Sequence, residues 1–276
     1  MADNKSPLQA ANLLNFFKGE LVKAPLNNNL FIGLSTTLPT IDGGNFTEPA
    51  SSTGYTKVPY PTGVSYWTEP VNRVCTNQQP VFFPDSIAQF PTVVAIGIFD
   101  ETSDTVPIYF GHIDLGKSLN IGDGHYFPPG KIIIQETKHT FTKSDYLANA
   151  QLKLLRNETF ETPSEIYLAL GTMAPTMTGD IGELVASKSP GYTRIAIPCN
   201  SANWQVTGRN VKNLMQLVFP AAENADWESI KSFALHRTAT GNTTLLYCGV
   251  FGDNETKVIN SLDILRIPVG AISVWE

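Results

Sequence analysis

Hydrophobic positions near the start of the chain follow a helical period. Ala10, Leu13, Leu14 and Phe17 fall at i, i+3, i+4 and i+7, which lines one face of a helix. Ser6-Pro7 supplies an N-cap followed by proline at the first helical position, and Gly19 supplies a stop. The pattern then changes. Short apolar runs bounded by Gly, Pro, Asn and Asp predict strands at 30–34, 56–60, 81–83, 92–99, 108–113 and 131–135. The same order returns further on. Ser144-Asp145 is a second helix start, with Ala148, Leu152 and Leu155 on one face. Strands are predicted at 166–170, 193–197, 216–219, 232–236, 245–251 and 271–275. The expected fold is mainly β: two tandem antiparallel β-sandwich domains, jelly-roll-like, each preceded by a short helix. That helix is expected to cover a sheet edge or cap an open end.

The recurrence extends to residue identity, and internal repeats decide architecture. Residues 30–59 read LFIGLSTTLPTIDGGNFTEPASSTGYTKVP, and 166–196 read IYLALGTMAPTMTGDIGELVASKSPGYTRIA. Leu34, Pro39 and Thr40 match Leu170, Pro175 and Thr176 at a spacing of 136 residues. Gly54, Tyr55 and Trp67 match Gly191, Tyr192 and Trp204 at 137. The domains are therefore expected at 1–138 and 139–276, meeting in the polar stretch QETKHTFTKS. Matched glycines, tyrosines and tryptophans favour architecture over ligand binding, because such positions recur when the fold does. Each copy also has a Ser/Thr-rich connection of about 20 residues after its first strand. These segments, 35–54 and 171–191, are the leading candidates for partner contact.

Composition narrows the function. The formal charge is −6 and only 16% of residues are charged, so no basic footprint for nucleic acid or anionic membrane is present. No apolar run reaches the ~20 residues of a membrane span, and MADNKS has no apolar signal core. Cys75, Cys199 and Cys248 form no disulfide framework. His112, His125, His139 and His236 fit no zinc spacing, so neither metal nor cofactor is expected. Asp100-Glu101-Thr102-Ser103-Asp104 and Asp253-Asn254-Glu255 read as solvated turns. GxSxG, HExxH, P-loop and Rossmann motifs are all absent. Glu48 and Glu183 are the matched acids to inspect for glycosidase chemistry; their loop setting suggests turn or surface roles. No enzyme is expected.

One ordered set of signals carries a family resemblance. A short helix precedes the strand at 30–34 or 166–170, then come T-x-x-P-T, GY-T-[KR], a later Trp, Phe-Pro and Tyr-x-Gly. The carrying residues are 30–40 and 54–57 in the first copy, and 166–176, 191–194, Trp204, Phe219-Pro220 and 247–249 in the second. The second copy adds Trp227, Ile230, Phe233, Ala234 and Leu235. This resembles small virion structural domains of tailed bacteriophages, of the head decoration, head fibre or tail fibre kind. The resemblance implies a non-enzymatic virion protein with no catalytic residues. Its leading form is a capsid decoration or cement protein binding the assembled head as a pseudo-dimer, with the major capsid protein as partner and self-assembly possible in symmetric form. The alternative is a fibre or a neck or baseplate adaptor with a host-glycan role. Tyr66, Trp67 and Trp204 are then the leading candidate glycan contacts, with Tyr55 and Tyr192 also considered. The expected location is the virion, assembled in the host cytoplasm.

Overall fold

The computed structural model describes residues 5–22, 29–136, 143–252 and 256–276, with backbone only at 114–117. The first copy contains α1 (Pro7–Leu14), β1 (Asn29–Ser35), β2 (Val58–Pro61), β3 (Val74–Thr76), β4 (Val81–Phe82), β5 (Phe90–Phe99), β6 (Tyr109–Leu119), β7 (Tyr126–Phe127) and β8 (Ile133–Gln135). The second contains α2 (Asp145–Leu152), β9 (Glu165–Gly171), β10 (Ile195–Pro198), β11 (Trp204–Thr207), β12 (Asn210–Asn213), β13 (Leu217–Ala221), β14 (Ser232–His236), β15 (Leu245–Val250), β16 (Ile264–Ile267) and β17 (Ser273–Trp275).

Local chemistry sets the helices. The N–H of Gln9 donates to Ser6 Oγ at 3.2 Å, and that of Leu147 to Ser144 Oγ at 3.1 Å, so both serines are N-caps. Each helix tightens into a 3₁₀ turn, Asn15–Lys18 or Lys153–Arg156. Gly19 and Asn157 then end it in the left-handed conformation. Just before each helix, Lys5 bridges to Tyr109 and Lys143 to Tyr247. Those partners lie on β6 and β15, the outer strands of their sheets. The lead-in to the helix thus covers a sheet edge.

The fold is mainly β and antiparallel in both halves. Four-stranded sheets run β2-β1-β5-β6 and β10-β9-β14-β15. Around each hairpin, β5–β6 or β14–β15, the pairs β4–β7 and β3–β8, or β13–β16 and β12–β17, nest one outside the other. This nested pairing is the jelly-roll-like element of the fold. One core joins Leu30, Ile32 and Leu34 of β1 to Ile98 of β5, Cys75 of β3, Val81 of β4 and Ile134 of β8. Strands β1 and β9 share one burial pattern, alternating at the start and buried on both faces over the last four residues. Strands β3, β7, β11, β12 and β16 were not expected from the sequence. Each is only two to four residues long, too short to show an alternation.

Two compact units form. One contains Met1–Asn12, Lys23–Thr137 and Asn149–Phe160; the other contains Leu13–Val22, Lys138–Ala148 and Glu161–Glu276. The last turn of each helical segment therefore joins a core built mainly from the other copy's strands. Leu152 and Leu155 lie in the first core with Trp67. Phe17 packs edge-on against Trp204 in the second, with ring centroids 4.7 Å apart.

A buried ion pair recurs in the two units. Lys5 Nζ donates to Glu136 Oε1 and Oε2 at 3.0 and 2.8 Å. Lys143 Nζ lies 2.8 Å from Glu276 Oε2. Removing one partner strands a buried charge. Glu136→Ala is expected to lower the unfolding free energy by about 3–5 kcal/mol in urea titration; a loss under about 1 kcal/mol would contradict this burial.

Candidate interaction surface

The two long connections are folded rather than open. In the first, the N–H of Thr36 donates to Thr47 O at 2.8 Å, and that of Thr40 to Gly44 O at 2.8 Å. In the second, Thr172 N–H donates to Gly182 O, Met173 N–H to Ile181 O and Thr176 N–H to Asp180 O. Each loop doubles back along itself beyond its first strand. Their tips expose apolar side chains: Ile41 is 79% exposed and Leu38 55%, while Met177 is 70% exposed and Met173 38%. Ile41 and Met177 occupy matching places in the repeat.

A hydrogen-bonded latch holds each loop to its sheet. Tyr55 Oη accepts the N–H of Leu34 at 3.0 Å and donates to Glu48 Oε1 at 2.6 Å. Tyr192 Oη does the same with Leu170 N–H at 3.0 Å and Glu183 Oε1 at 3.1 Å. Burial, with the neighbouring carboxylate adding to it, pushes both phenols well above their usual range, so each stays protonated and able to donate. A cation closes each latch. Lys57 Nζ lies 3.1 Å from Glu48 Oε2. Arg194 grips Glu183 with two nitrogens, Nε to Oε1 at 2.7 Å and Nη2 to Oε2 at 2.5 Å. The same cations reach the β5–β6 and β14–β15 hairpins: Lys57 donates to Thr102 O and Asp104 O, and Arg194 to Thr238 O. Glu48 and Glu183 are thus internal fasteners rather than plain turn or surface acids. A matched acid reads as surface in sequence because its tyrosine partner lies several residues away, across the loop.

The remaining singled-out residues divide clearly. Leu34 and Leu170 are core residues of β1 and β9. Pro39-Thr40 and Pro175-Thr176 form the loop turns, where Gly43 N–H donates to Thr40 O and Gly179 N–H to Thr176 O. Gly54 and Gly191 have φ of +88° and +83°, and a Cβ on Gly191 would lie 2.4 Å from Ala221 O. Trp67 and Trp204 are 0% and 1% exposed. Neither presents a face to a glycan, so that expectation is corrected: their indoles fill the cores. Tyr55 and Tyr192 are buried in the latches, and Tyr66 is half-buried against Tyr60. The Asp100–Asp104 stretch is the β5–β6 turn, with Glu101 N–H donating to Asp104 Oδ2 at 3.0 Å. His139 and the Asp253–Glu255 stretch lie outside the described residues. No cluster of three potential metal ligands occurs among the described residues, and no helix there is long and apolar enough to cross a membrane. Burial pushes the Cys75 and Cys248 thiols up to about 11 and Cys199 to about 12, which suppresses thiolate chemistry.

One recurring anchor escaped the sequence comparison. Asn77 Nδ2 donates to Gln79 O and Pro128 O, and its Oδ1 accepts Ile132 N–H. Asn213 makes the same three bonds with Met215 O, Pro268 O and Ile272 N–H. The pair stands at the spacing of 136 residues, which was the available signal.

Two measurements test this surface. Tyr55→Phe and Tyr192→Phe each leave a buried strand N–H without its acceptor, at an expected cost of about 1–3 kcal/mol in urea unfolding. Burial, then the Arg194 charge, lowers the His236 pKa from 6.5 to about 4, with Glu183 opposing. The unfolded chain takes up that proton first, so this contribution is complete above pH 6.5 and is lost as pH falls towards 4. Its size is on the order of 3 kcal/mol. His236→Phe should remove that part of the pH dependence of stability; an unchanged slope between pH 6.5 and 4 would refute it.

Comparison with known proteins completes the picture. No curated protein matches the chain. A family model described as podophage GP4 fiber I protein gp80 matches it twice, over residues 4–135 and 142–275. The repeated unit is therefore the family's own unit, present in tandem. The match favours the fibre alternative over the capsid cement expected first. The chain belongs to the podophage GP4 fiber I protein gp80 family and is a fibre component of a phage virion.

Proposed function

We propose that this fibre protein is a non-enzymatic structural part that uses its two latched loops as contact surfaces. Each repeat, 1–138 and 139–276, serves as one fibre module. Other virion proteins are its partners. The carrying observation is the pairing of exposed apolar tips with a loop that is fastened from beneath. Ile41 and Met177 are 79% and 70% exposed, while Tyr55 and Tyr192 tie their loops to the sheets. Exposed apolar side chains on an ordered support favour association, because little loop entropy is lost on binding. Two such surfaces on one chain also raise the effective concentration of the second contact once the first is made.

The two surfaces differ in chemistry. Lys57 closes the first latch and Arg194 the second, and the position of Phe99 in the first copy is taken by His236 in the second. Two related modules facing unlike neighbours account for this divergence. The double variant Ile41→Asp/Met177→Asp should unfold at the wild-type midpoint, since both side chains are exposed. Phage grown with this variant as the sole source should carry at least ten-fold less of the chain per particle, by quantitative mass spectrometry of purified virions. Wild-type incorporation would refute the loop contacts. Cross-linking on intact particles would show whether the neighbour is the major capsid protein or another fibre subunit.

A further inference from the structure

The strand pairs β4–β7 and β13–β16 hold the same place in the two copies but face solvent with different side chains. Phe82 pairs directly with Tyr126, and Val218 with Arg266. Phe82 and Val218 stand at the spacing of 136 residues, as Phe83 and Phe219 do. The inward residues stay apolar: Val81 and Phe83 are buried, as are Leu217 and Phe219. The outward ones change in character. In the first copy the rings of Phe82 and Tyr126 stack, with centroids 4.9 Å apart. That contact covers one face of each ring, and the two residues stay 65% and 52% exposed. Pro84, next on the same side of the strand, is exposed too. Ile87 and Ile121, also exposed, flank the Gly122 N–H to Ser86 O bond that carries the pairing onward. A row of exposed apolar side chains on an ordered ladder marks a contact surface.

The second copy carries the complement. Arg266 is exposed and makes no ion pair or hydrogen bond among the described residues. Val218, its cross-strand neighbour, and Ile264, two residues along the same side of β16, are part-exposed beside it. The charges differ as well. Asp85 follows Pro84 in the first copy, is exposed, and has no cation paired with it among the described residues. Its place in the second copy is taken by Ala221. Asp123 recurs as Asp263, whose carboxylate accepts a bond from Asn260 Nδ2 at 3.1 Å. One face is thus aromatic with an added carboxylate, and the other aliphatic with an unpaired guanidinium. A planar guanidinium stacks on aromatic rings and is drawn to their electron-rich faces. Aromatic and arginine side chains are also those that dominate protein contacts. Two faces of the second kind would instead bring two unpaired guanidinium groups together, a like-charge contact that costs free energy.

We infer that the β4–β7 face of one chain docks on the β13–β16 face of a second copy of this chain, with Arg266 over the Phe82 and Tyr126 rings. The contact joins unlike faces, so each added chain leaves one face of each kind open, and chains extend in series or close into a ring. It uses other residues than the loop tips of Ile41 and Met177 and is independent of their contacts. Sedimentation velocity on the purified full chain should show a mean mass above one chain that grows with concentration through the micromolar range. Phe82→Ser/Tyr126→Ser and Arg266→Glu should each weaken self-association about ten-fold, with unfolding midpoints near wild type because the altered groups are exposed. Arg266→Glu breaks no ion pair, so it reads the contact even if the aromatic variant folds poorly. An equimolar mixture of the two variants tests the geometry. Each keeps one intact face, and the two are complementary, so the mixture should form two-chain complexes and go no further. Wild-type chains that stay single throughout, association that survives Arg266→Glu, or folded variants that fail to pair when mixed would overturn the inference. Ile41→Asp/Met177→Asp should associate as wild type does; a loss there would overturn it in favour of the loops.

Discussion

A buried tyrosine hydroxyl that serves a strand and a loop at once is the constraint from which the rest of each unit follows. It accepts an N–H from the first strand and donates to a glutamate some way along the loop. The ring itself is held in place: Tyr55 stacks on Phe83 and Tyr192 on Phe219, with interplanar angles of 12° and 15°. Packing fixes the phenol, the phenol fixes the carboxylate, and the carboxylate recruits a cation from the residue just before the next strand. The cation then reaches the neighbouring hairpin. A loop of this length thereby becomes an ordered surface, since each member leaves its partner unsatisfied if it moves away.

The copies keep this arrangement while changing what surrounds it. A lysine over a phenylalanine ring in one becomes an arginine gripping a carboxylate beside a histidine in the other. The planar guanidinium grips the carboxylate with two nitrogens, which a single ammonium cannot. The neighbouring aromatic position, Phe99 in one copy, is His236 in the other, while the hydrogen-bonded frame is retained. That distribution suits a fibre built from repeated modules whose contacts are not identical.

Much of this was legible in the chain. Ser6 and Ser144 mark helix starts because a hydroxyl next to a helical apolar stripe has one obvious role. Strands such as Asn29–Ser35 and Ser232–His236 stand out because their apolar residues exceed what a loop needs. The short polar strands did not: Asn210–Asn213 has a single apolar side chain and is a strand because it lies between β11 and β17 and pairs with both. Glu48 and Glu183 were visible as a matched pair, yet their bond to a tyrosine was not, since sequence spacing carries no direction of approach. The sequence favoured a structural role for the tryptophans but left a glycan contact open for the same reason. An aromatic beside a turn can face either way, and only the core around it shows which.

By itself the sequence determined the duplication, the helix caps, the antiparallel β character and the absence of recognisable catalytic motifs, because each rests on local pattern or composition. Tertiary structure decided which core receives each helical end. Phe17 and Leu155 occupy equivalent places in the repeat, so nothing local distinguishes joining their own copy's strands from joining the other's. It also decided which residues meet beneath each loop. Phe46 and Phe99, or Ile181 and His236, are far apart along the chain, and only folding brings them to one point. Pattern along a chain reports the environment of single residues; the space between distant residues is a property of their packing.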